Sequence, residues 1–520
     1  MFTSKRFVSA ALAALATMAV LATAACSSAA SGAPAASPTA ATGGAVTVAM
    51  SQGDFGSMDP IIDNSLQGIN AYDALYDTLT EVKRDGSVGP RLATKWVANS
   101  DATQWDFTIR KDVKFSDGTP LTINDIIFTL NQVKTNPKSL NTRYLTLLSS
   151  MEKVGDNVLR FHMSAPFAIW PRQMTLLSIV PQKYYESAGG SVGFAKAPIG
   201  SGPYTFVSHT PGVSLVVEKN KDYWGKSGPD KPTLDKITFV PVTDDQARVS
   251  GVESGSLDVA LIPPTQVSTV KGSGTVDVKS VDGNQTVYLG FNTAAKPLND
   301  PKIRQAISLA VDRAAIVKTI LGGLGRPATQ MSAPIDFGYD DSLKPLPYNV
   351  AEAKKLIKEA GYDGTPIPLQ YALNGFVPLG AQVAQAVAGY LEKAGLKIDL
   401  QGMDSATYTI TGTNHAYKGI FFSGWGPSYL DAQIFLGALA PNGTRYFQDP
   451  QTDALYAKQV SDADTKSRAK DIAKIWGTLN DKVYYAALYN PKFNYAVSKK
   501  VNWDPYAQGA MFFEGTTVNK

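Results

Sequence analysis

The chain has 520 residues, with 49 Lys and Arg against 45 Asp and Glu and a formal net charge of +4. This length exceeds one ordinary domain, so we expect two or three lobes with large cores. No basic stripe interleaved with aromatic residues runs along the sequence, which argues against nucleic acid as a partner.

The N-terminus has the pattern of an export signal. Lys5 and Arg6 precede an apolar run over residues 7–25 that ends in small residues. Cys26, in LATAACSS, resembles the lipidated cysteine of a bacterial lipobox. We therefore predict a lipoprotein signal peptide over 1–26 with lipid attachment at Cys26. An ordinary secretory signal and a single membrane span are the alternatives.

Residues 27–44 predict a flexible tether, because they are small, contain proline and carry almost no charge. Cys26 is the only cysteine. The body that follows therefore has no disulfide, zinc–thiolate cluster or cysteine nucleophile. A tether behind an anchor predicts a body held near a membrane surface.

The ordered body is predicted to begin with a strand at residues 45–50, AVTVAM. Apolar and polar residues then alternate over residues 105–110, which indicates a half-buried strand. Thr122, with Asp125 three residues later, is a good N-cap for an amphipathic helix.

The middle of the chain also has signals for helices and strands in succession. A helix is predicted from about Asp244 to Gly255, followed by a strand over residues 258–262. Another helix is expected to begin at Pro301, with Asn299 or Asp300 as its cap.

The last third reads as strands alternating with helices. Strands are predicted over 367–373 and 396–402 and up to Trp425, with helices over 378–394 and 405–414 between them. The simplest topology is two right-handed βαβ crossovers, which give parallel strands.

Ligands of open α/β sheets bind beyond the carboxyl ends of the parallel strands. This rule places Asn374, Gly375 and Phe376 after one strand. It places the residues 425–427, Trp-Gly-Pro, after another, around the same crevice.

Seven stretches, in order along the body, carry a resemblance to one family: LYDTLTEVKRDGSVGPRLATKW, VKFSDGTPLTINDIIFTL, PIGSGPYTF, KNKDYWG, LDKITFVPVTDDQARVSGVESGSLDVALI, LGFNTAAKPLNDPKIRQAISLAVDRAAIV and YNVAEAKKLIKEAGY. Together they resemble the extracellular solute-binding proteins of bacterial ABC importers, in the family of oligopeptide-, dipeptide- and nickel-binding proteins, family 5.

The resemblance implies an α/β, periplasmic-binding-protein-like fold with two lobes, hinge strands and an inserted subdomain. It implies no catalytic step and no cofactor. The expected partners are a small ligand and ABC permease subunits in the membrane, and the protein is expected to be a monomer outside the cytoplasm. The implied ranges are 45–80, 196–286 and 490–520 for the first lobe, 81–195 for the inserted subdomain and 287–489 for the second lobe.

Trp425 and Tyr429 are the leading ligand-binding candidates, because rigid aromatic faces bury ligand area while their polar tips still offer a hydrogen bond. Gly424 lets a ligand approach the backbone. The alternative is that these rings pack between the lobes. In peptide-binding relatives an aspartate three residues after this tryptophan pairs with the peptide ammonium, and here that position is Ser428. Either Asp431 substitutes for it, or the cargo has no free amino terminus.

Four further residues are weaker candidates. Asp54 and Phe55 follow the first strand, in a loop that reaches the ligand in the family, and the alternative is a solvated loop acid. Asn292 and Tyr489 are the others, with turn capping and core packing as their alternatives.

The cargo stays open at this point. A peptide-like solute is favoured, and an oligosaccharide or other polar nutrient and a nickel chelate remain. A secreted hydrolase is the rival from another class, but GGSVG at 189–193 lacks the strand and helix of a nucleophile elbow. No two of the three histidines are close in sequence, so no metal site is predicted.

Overall fold

A computed structural model describes residues 43–227, 231–344, 347–374, 377–426, 429–441 and 443–519. Cys26, Phe376 and Ser428 lie outside the described residues, as does the predicted signal peptide. Among the described residues, no helix combines the length and the apolar content that a membrane crossing needs.

Strands and helices alternate through most of the described chain. The strands are β1 (Ala45–Met50), β2 (Thr80–Val82), β3 (Val88–Pro90), β4 (Ala93–Ala98), β5 (Gln104–Ile109), β6 (Leu148–Val154), β7 (Val158–Met163), β8 (Tyr204–Thr210), β9 (Ser214–Lys219), β10 (Lys236–Pro241), β11 (Val259–Leu261), β12 (Val276–Asp282), β13 (Thr286–Phe291), β14 (Gly325–Pro327), β15 (Ile367–Ala372), β16 (Ile398–Met403), β17 (Ile420–Trp425), β18 (Tyr485–Ser498), β19 (Val501–Asn502) and β20 (Thr517–Val518). The helices are α1 (Leu66–Leu75), α2 (Ile123–Thr135), α3 (Trp170–Gln173), α4 (Gln182–Ser187), α5 (Ser191–Phe194), α6 (Asp245–Glu253), α7 (Val267–Ser273), α8 (Pro301–Ala310), α9 (Arg313–Thr319), α10 (Val350–Glu359), α11 (Gly380–Ala394), α12 (Ser405–Thr413), α13 (Gln433–Ala438), α14 (Pro450–Ser461) and α15 (Thr465–Asp481).

A twelve-stranded sheet organises the molecule, in the order β16-β15-β17-β13-β18-β11-β1-β10-β9-β8, with β12 and β14 also paired to β18. We call β1 and β8–β12 the first half-sheet and β13–β17 the second half-sheet. β18 pairs with β13 through residues 485–489 and with β11 through residues 495–497. One strand of 14 residues therefore belongs to both half-sheets.

The chain crosses between the half-sheets at two adjacent places, between β12 and β13 and in the middle of β18. The amide nitrogen of the Asn490 side chain donates to the Gln285 carbonyl at 3.0 Å and to Thr286 Oγ1 at 2.8 Å. The Gly283 N–H donates to the Pro491 carbonyl at 3.1 Å. The predicted boundaries at 286/287 and 489/490 fall at this crossing, and the ranges of the lobes stay a prediction.

A separate antiparallel sheet, β4-β5-β7-β6, lies within the predicted inserted subdomain. β5 buries Trp105, Phe107 and Ile109, which confirms the alternation seen in the sequence. Before α2, the Asp125 carboxylate accepts a hydrogen bond from the Thr122 N–H at 2.9 Å, so the predicted cap is also confirmed.

The parallel strands of the last third are confirmed as well. β15 pairs in parallel with both β16 and β17 and lies between them. α8 begins at Pro301 with Asp300 as its cap, and the Asp300 carboxylate accepts from the Lys302 N–H at 2.8 Å. α11 begins at Gly380, two residues later than predicted, because Leu379 has a left-handed φ of +56°.

Two large apolar clusters hold these layers together. The first core packs the first half-sheet against the four-stranded sheet and includes Phe107, Trp170 and Phe239. The second core lies between the second half-sheet and helices α8 and α11, and it includes Leu289 and Val387.

Candidate ligand-binding site

A cavity of about 870 Å³, the central cavity, lies beside the crossing between the half-sheets. Its wall comes mostly from α1, from the β2–β3 hairpin and from residues 504–515. Asn284 at the crossing and Gly426 directly after β17 also line it. The volume suits a small ligand, because such pockets measure roughly 300–1,000 Å³.

Helix α1 presents one face to this cavity. Leu66, Ile69, Asp73 and Tyr76 line it, and their spacing of three and four residues places them on one side of the helix. Ser65 caps the helix, with its Oγ accepting from the Gly68 N–H at 3.0 Å. The cap therefore fixes where α1 begins and where this face points.

Two carboxyl groups meet in the cavity wall. Arg91 binds Asp73, with Nη1 to Oδ1 at 2.7 Å, and binds Asp77 through Nε at 2.7 Å. Burial raises the pKa of Glu514 well above its usual range, and the neighbouring charge of Asp73 and its hydrogen bond raise it further. Repulsion between neighbouring like charges therefore disfavours the ionised form of Glu514 beside Asp73.

The cavity also has basic residues, on the exposed β2–β3 hairpin. Lys83 and Arg84 both line it. The Arg84 guanidinium lies 3.9 Å from the centre of the Tyr506 ring, and its Nη1 donates to the Asp504 carbonyl at 3.0 Å. The cavity therefore offers groups of both charges. Within the described residues, no cluster of three His, Cys, Asp or Glu side chains could hold a metal ion.

Trp425 lies at the end of β17, next to the cavity-lining Gly426. Its side chain is 38% exposed, and its ring meets Phe435 edge to face at 6.3 Å. Both neighbouring glycines are needed for close packing. A Cβ at Gly424 would lie 2.8 Å from a Val377 methyl, and one at Gly426 would lie 3.1 Å from Asn284 Oδ1.

Tyr429 is placed differently from the expectation of a ligand-facing ring. It is only 4% exposed and packs into the first core. Burial and the charge of Asp431 raise the pKa of its hydroxyl well above the usual range. Tyr429 therefore fits the alternative interpretation, in which its ring packs inside the protein, because the ring is buried in the first core.

Asp431 does not offer a free carboxylate to a ligand ammonium. It is 1% exposed, and Arg468 binds both of its oxygens, at 2.7 and 2.8 Å. Arg172 Nε lies 3.3 Å from Oδ2. Burial alone would raise the pKa of Asp431, but the charge and hydrogen bonds of Arg468 lower it. The sequence suggests that Asp431 could replace the aspartate that the family has at the position of Ser428. In the structure, Arg468 and Arg172 already bind the Asp431 carboxylate.

Asp54 and Phe55 contact the first half-sheet. Asp54 accepts from the Gly212 N–H at 2.6 Å and lies 3.1 Å from His209 Nε2, so the loop is tied to the β8–β9 hairpin. Phe55 is 7% exposed and meets Phe239 edge to face at 6.3 Å. Neither residue lines the central cavity.

The remaining candidates are spread over the second half-sheet. Asn292 lies at the far end of β13 from Trp425, because β13 and β17 are antiparallel and Thr286 is the partner of Trp425. Its Oδ1 accepts from the Ala294 N–H at 3.1 Å, which is the turn-capping alternative, and its amide donates to the Tyr417 carbonyl at 2.8 Å. Tyr489 is fully buried in the second core. Asn374 is exposed after β15, as predicted, but does not line the cavity.

The sequence reasoning missed Asp73, Glu514 and Arg91. One signal was available, since Asp73 and Asp77 are spaced four residues apart in an otherwise apolar stretch, LQGINAYDALYD. Glu514 carried no comparable signal, because only the folding of residues 504–515 against α1 brings it to Asp73.

The comparisons agree with this fold. The model of the family described as bacterial extracellular solute-binding proteins, family 5 Middle, matches residues 87–447. The glutathione-binding protein GsiB of Salmonella choleraesuis is 26% identical over 443 residues, covering 82% of this chain and 85% of that protein. Heme-binding protein A of Haemophilus influenzae is 26% identical over 431 residues, covering 76% and 78%.

Solved structures show the same architecture. The ABC transporter substrate-binding protein CtaP of Listeria monocytogenes has a TM-score of 0.81 at 21% identity, covering 92% of this chain and all of that one. HbpA2 of Haemophilus parasuis has a TM-score of 0.82 at 24% identity, with the same coverage. The fold is thus that of a periplasmic-type binding protein, and the expected fold class is confirmed.

The family match spans most of the chain. The chain belongs to family 5 of the bacterial extracellular solute-binding proteins. It is a binding protein and not an enzyme, as the resemblance predicted.

Proposed function

We propose that this protein captures a small peptide-like zwitterion and delivers it to the permease of an ABC importer. The observation behind the cargo is the charge arrangement of the central cavity. Asp73 and Glu514 form a carboxyl pair in its wall, and the cations of Lys83 and Arg84 line it as well. A peptide carries both an ammonium and a carboxylate, so Glu514 can release its proton to face the first while Lys83 and Arg84 face the second.

The relatives are consistent with this proposal. They include proteins named for binding glutathione. One neighbour of like fold is DppA from Helicobacter pylori in complex with the peptide STSA, at a TM-score of 0.75. Another is AppA from Bacillus subtilis in complex with a nonapeptide, at a TM-score of 0.73.

The proposal includes the cellular setting. A lipid on Cys26 would hold the monomeric body, through the tether of residues 27–44, at the outer face of the cytoplasmic membrane. There the two lobes close over the ligand by a hinge motion at the crossing strands.

A thermal-shift screen of the purified protein tests the cargo. A ligand that binds only the folded form stabilises it, by about 2.7 kcal/mol at one hundred times its Kd. Peptides with a free amino terminus should raise Tm, and the same peptides with an acetylated amino terminus should not. A response to oligosaccharides or to a nickel chelate alone would replace the proposal.

Trp425→Ala is expected to weaken binding of the responding peptide by about 10-fold or more, because an exposed indole beside the cavity offers a large apolar face. The fold should remain intact, since the ring is not part of a core. Calorimetric titration measures the loss. Tyr348→Ala is the control, because Tyr348 is also an exposed aromatic residue, at 43%, with one edge-to-face partner. Equal affinities for the two variants would remove Trp425 from the site.

Glu514→Gln should also lower peptide affinity by about 10-fold or more, because a glutamine cannot lose a proton to become a carboxylate beside the ligand ammonium. The free energy of unfolding should not fall, since the substitution relieves the enforced contact between two carboxyl groups. Titration and urea unfolding of the same sample separate the two effects. Glu359→Gln, on the exposed surface, is the control. Full affinity in Glu514→Gln would place the ammonium elsewhere.

A further inference from the structure

Arg172 joins parts of the chain that are distant in sequence. It lies on α3, in the predicted inserted subdomain, and is 8% exposed. Its Nη1 lies 2.8 Å from the carbonyl oxygens of Gly86 and Tyr429 and 3.2 Å from that of Leu430. Its Nε faces Asp431 at 3.3 Å. One guanidinium thus binds both the β2–β3 hairpin and the segment that follows β17.

The segment at residues 429–431 has its own support within the predicted second lobe. Arg468, on α15, binds Asp431 through two hydrogen bonds. The Phe337 N–H donates to the Leu430 carbonyl at 2.9 Å. Removing the Arg172 guanidinium would therefore leave Asp431 paired with Arg468, while the contacts that Arg172 itself makes to residues 429–431 and to Gly86 would be lost.

Apolar and backbone contacts continue the same interface. Tyr429 and Val460, from the predicted second lobe, pack against the first core. The Ala168 N–H, four residues before Arg172, donates to the Val460 carbonyl at 2.8 Å. At Gly86 the approach is close enough that a Cβ would lie 2.6 Å from the Ile335 carbonyl oxygen. The structure therefore shows the two predicted lobes in contact around Arg172.

The same segment leads back to the binding site. Gly426 lines the central cavity, Trp425 precedes it, and the chain reaches Tyr429 three residues later. The carbonyls of Tyr429 and Leu430 that Arg172 binds thus follow the cavity-lining Gly426 by three and four residues in sequence.

We propose that Arg172 is a positioning residue that holds the lobes closed by clamping the backbone at residues 429–431. This inference rests on the proposed hinge closure. An arginine suits the role, because its planar fork donates in several directions at once, which a lysine cannot do. When the lobes open, water would replace the backbone carbonyls as hydrogen-bond acceptors of Arg172. Asp431 would stay paired with Arg468.

The test measures the distance between the lobes directly. Spin labels are placed on the purified full chain at Val207→Cys and Ile410→Cys, which are exposed at 47% and 60% on β8 and α12, in a Cys26→Ser background. Without ligand, Arg172→Gln should shift the distance distribution to longer values. The responding peptide should then dissociate about 10-fold faster, with little change in its association rate.

Arg160→Gln is the matched control, because Arg160 pairs with Asp106 on the surface of the same subdomain and makes no contact of this kind. Its distance distribution should equal that of the parent. The inference is overturned if folded Arg172→Gln also keeps the parent distribution.

A variant that keeps the charge completes the design. Arg172→Lys loses the fork and should also lengthen the distance. If neither Arg172 variant folds while Arg160→Gln does, Arg172 is a folding residue of the subdomain and the inference fails. The ligand-free distances decide the matter even if no peptide in the screen binds, so this result is separate from that of the cargo proposal.

Discussion

Asp431→Ala is expected to lower the free energy of unfolding by about 3–5 kcal/mol, because it leaves buried guanidinium groups without their counter-ion. Arg468 is 5% exposed and Arg172 8%, so water cannot easily replace the lost carboxylate. The Gln433 N–H, which donates to Asp431 Oδ1 at 2.8 Å, would lose its acceptor as well. Urea unfolding followed by circular dichroism measures the change.

Asp156→Ala is the control for this loss. Its carboxylate lies 3.9 Å from Lys111 Nζ, and the two side chains are 90% and 65% exposed. Exposed pairs of this kind contribute about 0–1 kcal/mol. If Asp431→Ala were no more destabilising than Asp156→Ala, the buried ion pair would not support this region of the fold.

Asp336→Asn is expected to remove a pH dependence of stability. Asp336 is 4% exposed, and its Oδ1 has no hydrogen-bond partner. Burial, with a contribution from the charge of Asp431, raises its pKa from 3.8 to about 8, although Arg172 opposes this. The folded protein therefore keeps a proton that the unfolded chain releases, and its stability falls as pH rises from about 4 towards about 8.

Thermal unfolding of the parent and of Asp336→Asn at about pH 5 and about pH 8 tests this expectation. The neutral amide has no proton to retain, so the Tm of the variant should fall less over this interval. At the higher pH, the free energy of unfolding of Asp336→Asn should exceed that of the parent by on the order of 1.36 kcal/mol for each unit by which the pKa of Asp336 is raised. Parallel loss of Tm in both proteins would show that Asp336 does not titrate in this way.

Much of the fold could be predicted because local signals and tertiary structure agree. The alternation around Phe107 and the cap at Thr122 are properties of a few neighbouring residues, and the structure keeps both. The position of β18 between the two half-sheets had no such signal. It depends on pairing with β11 and β13, which are more than 190 residues away in sequence.

The site was harder to predict for the same reason. The rule about carboxyl ends of parallel strands brought Trp425 and Gly426 close to the cavity. The rule does not cover Asp73, which lies on α1, or Glu514, which lies within residues 504–515. Tyr429 and Asp431 looked like ligand groups from their residue types, but the Tyr429 ring packs into the first core and Arg468 pairs with Asp431.

β18 follows every other strand of the main sheet in chain order, yet it lies at the centre of that sheet. During synthesis, the edges of β13 and β11 that it will cover therefore stay open until residues 485–498 have left the ribosome. Domains usually fold as they emerge, beginning with the N-terminal one. This arrangement delays completion of both halves until almost all of the sheet has been translated.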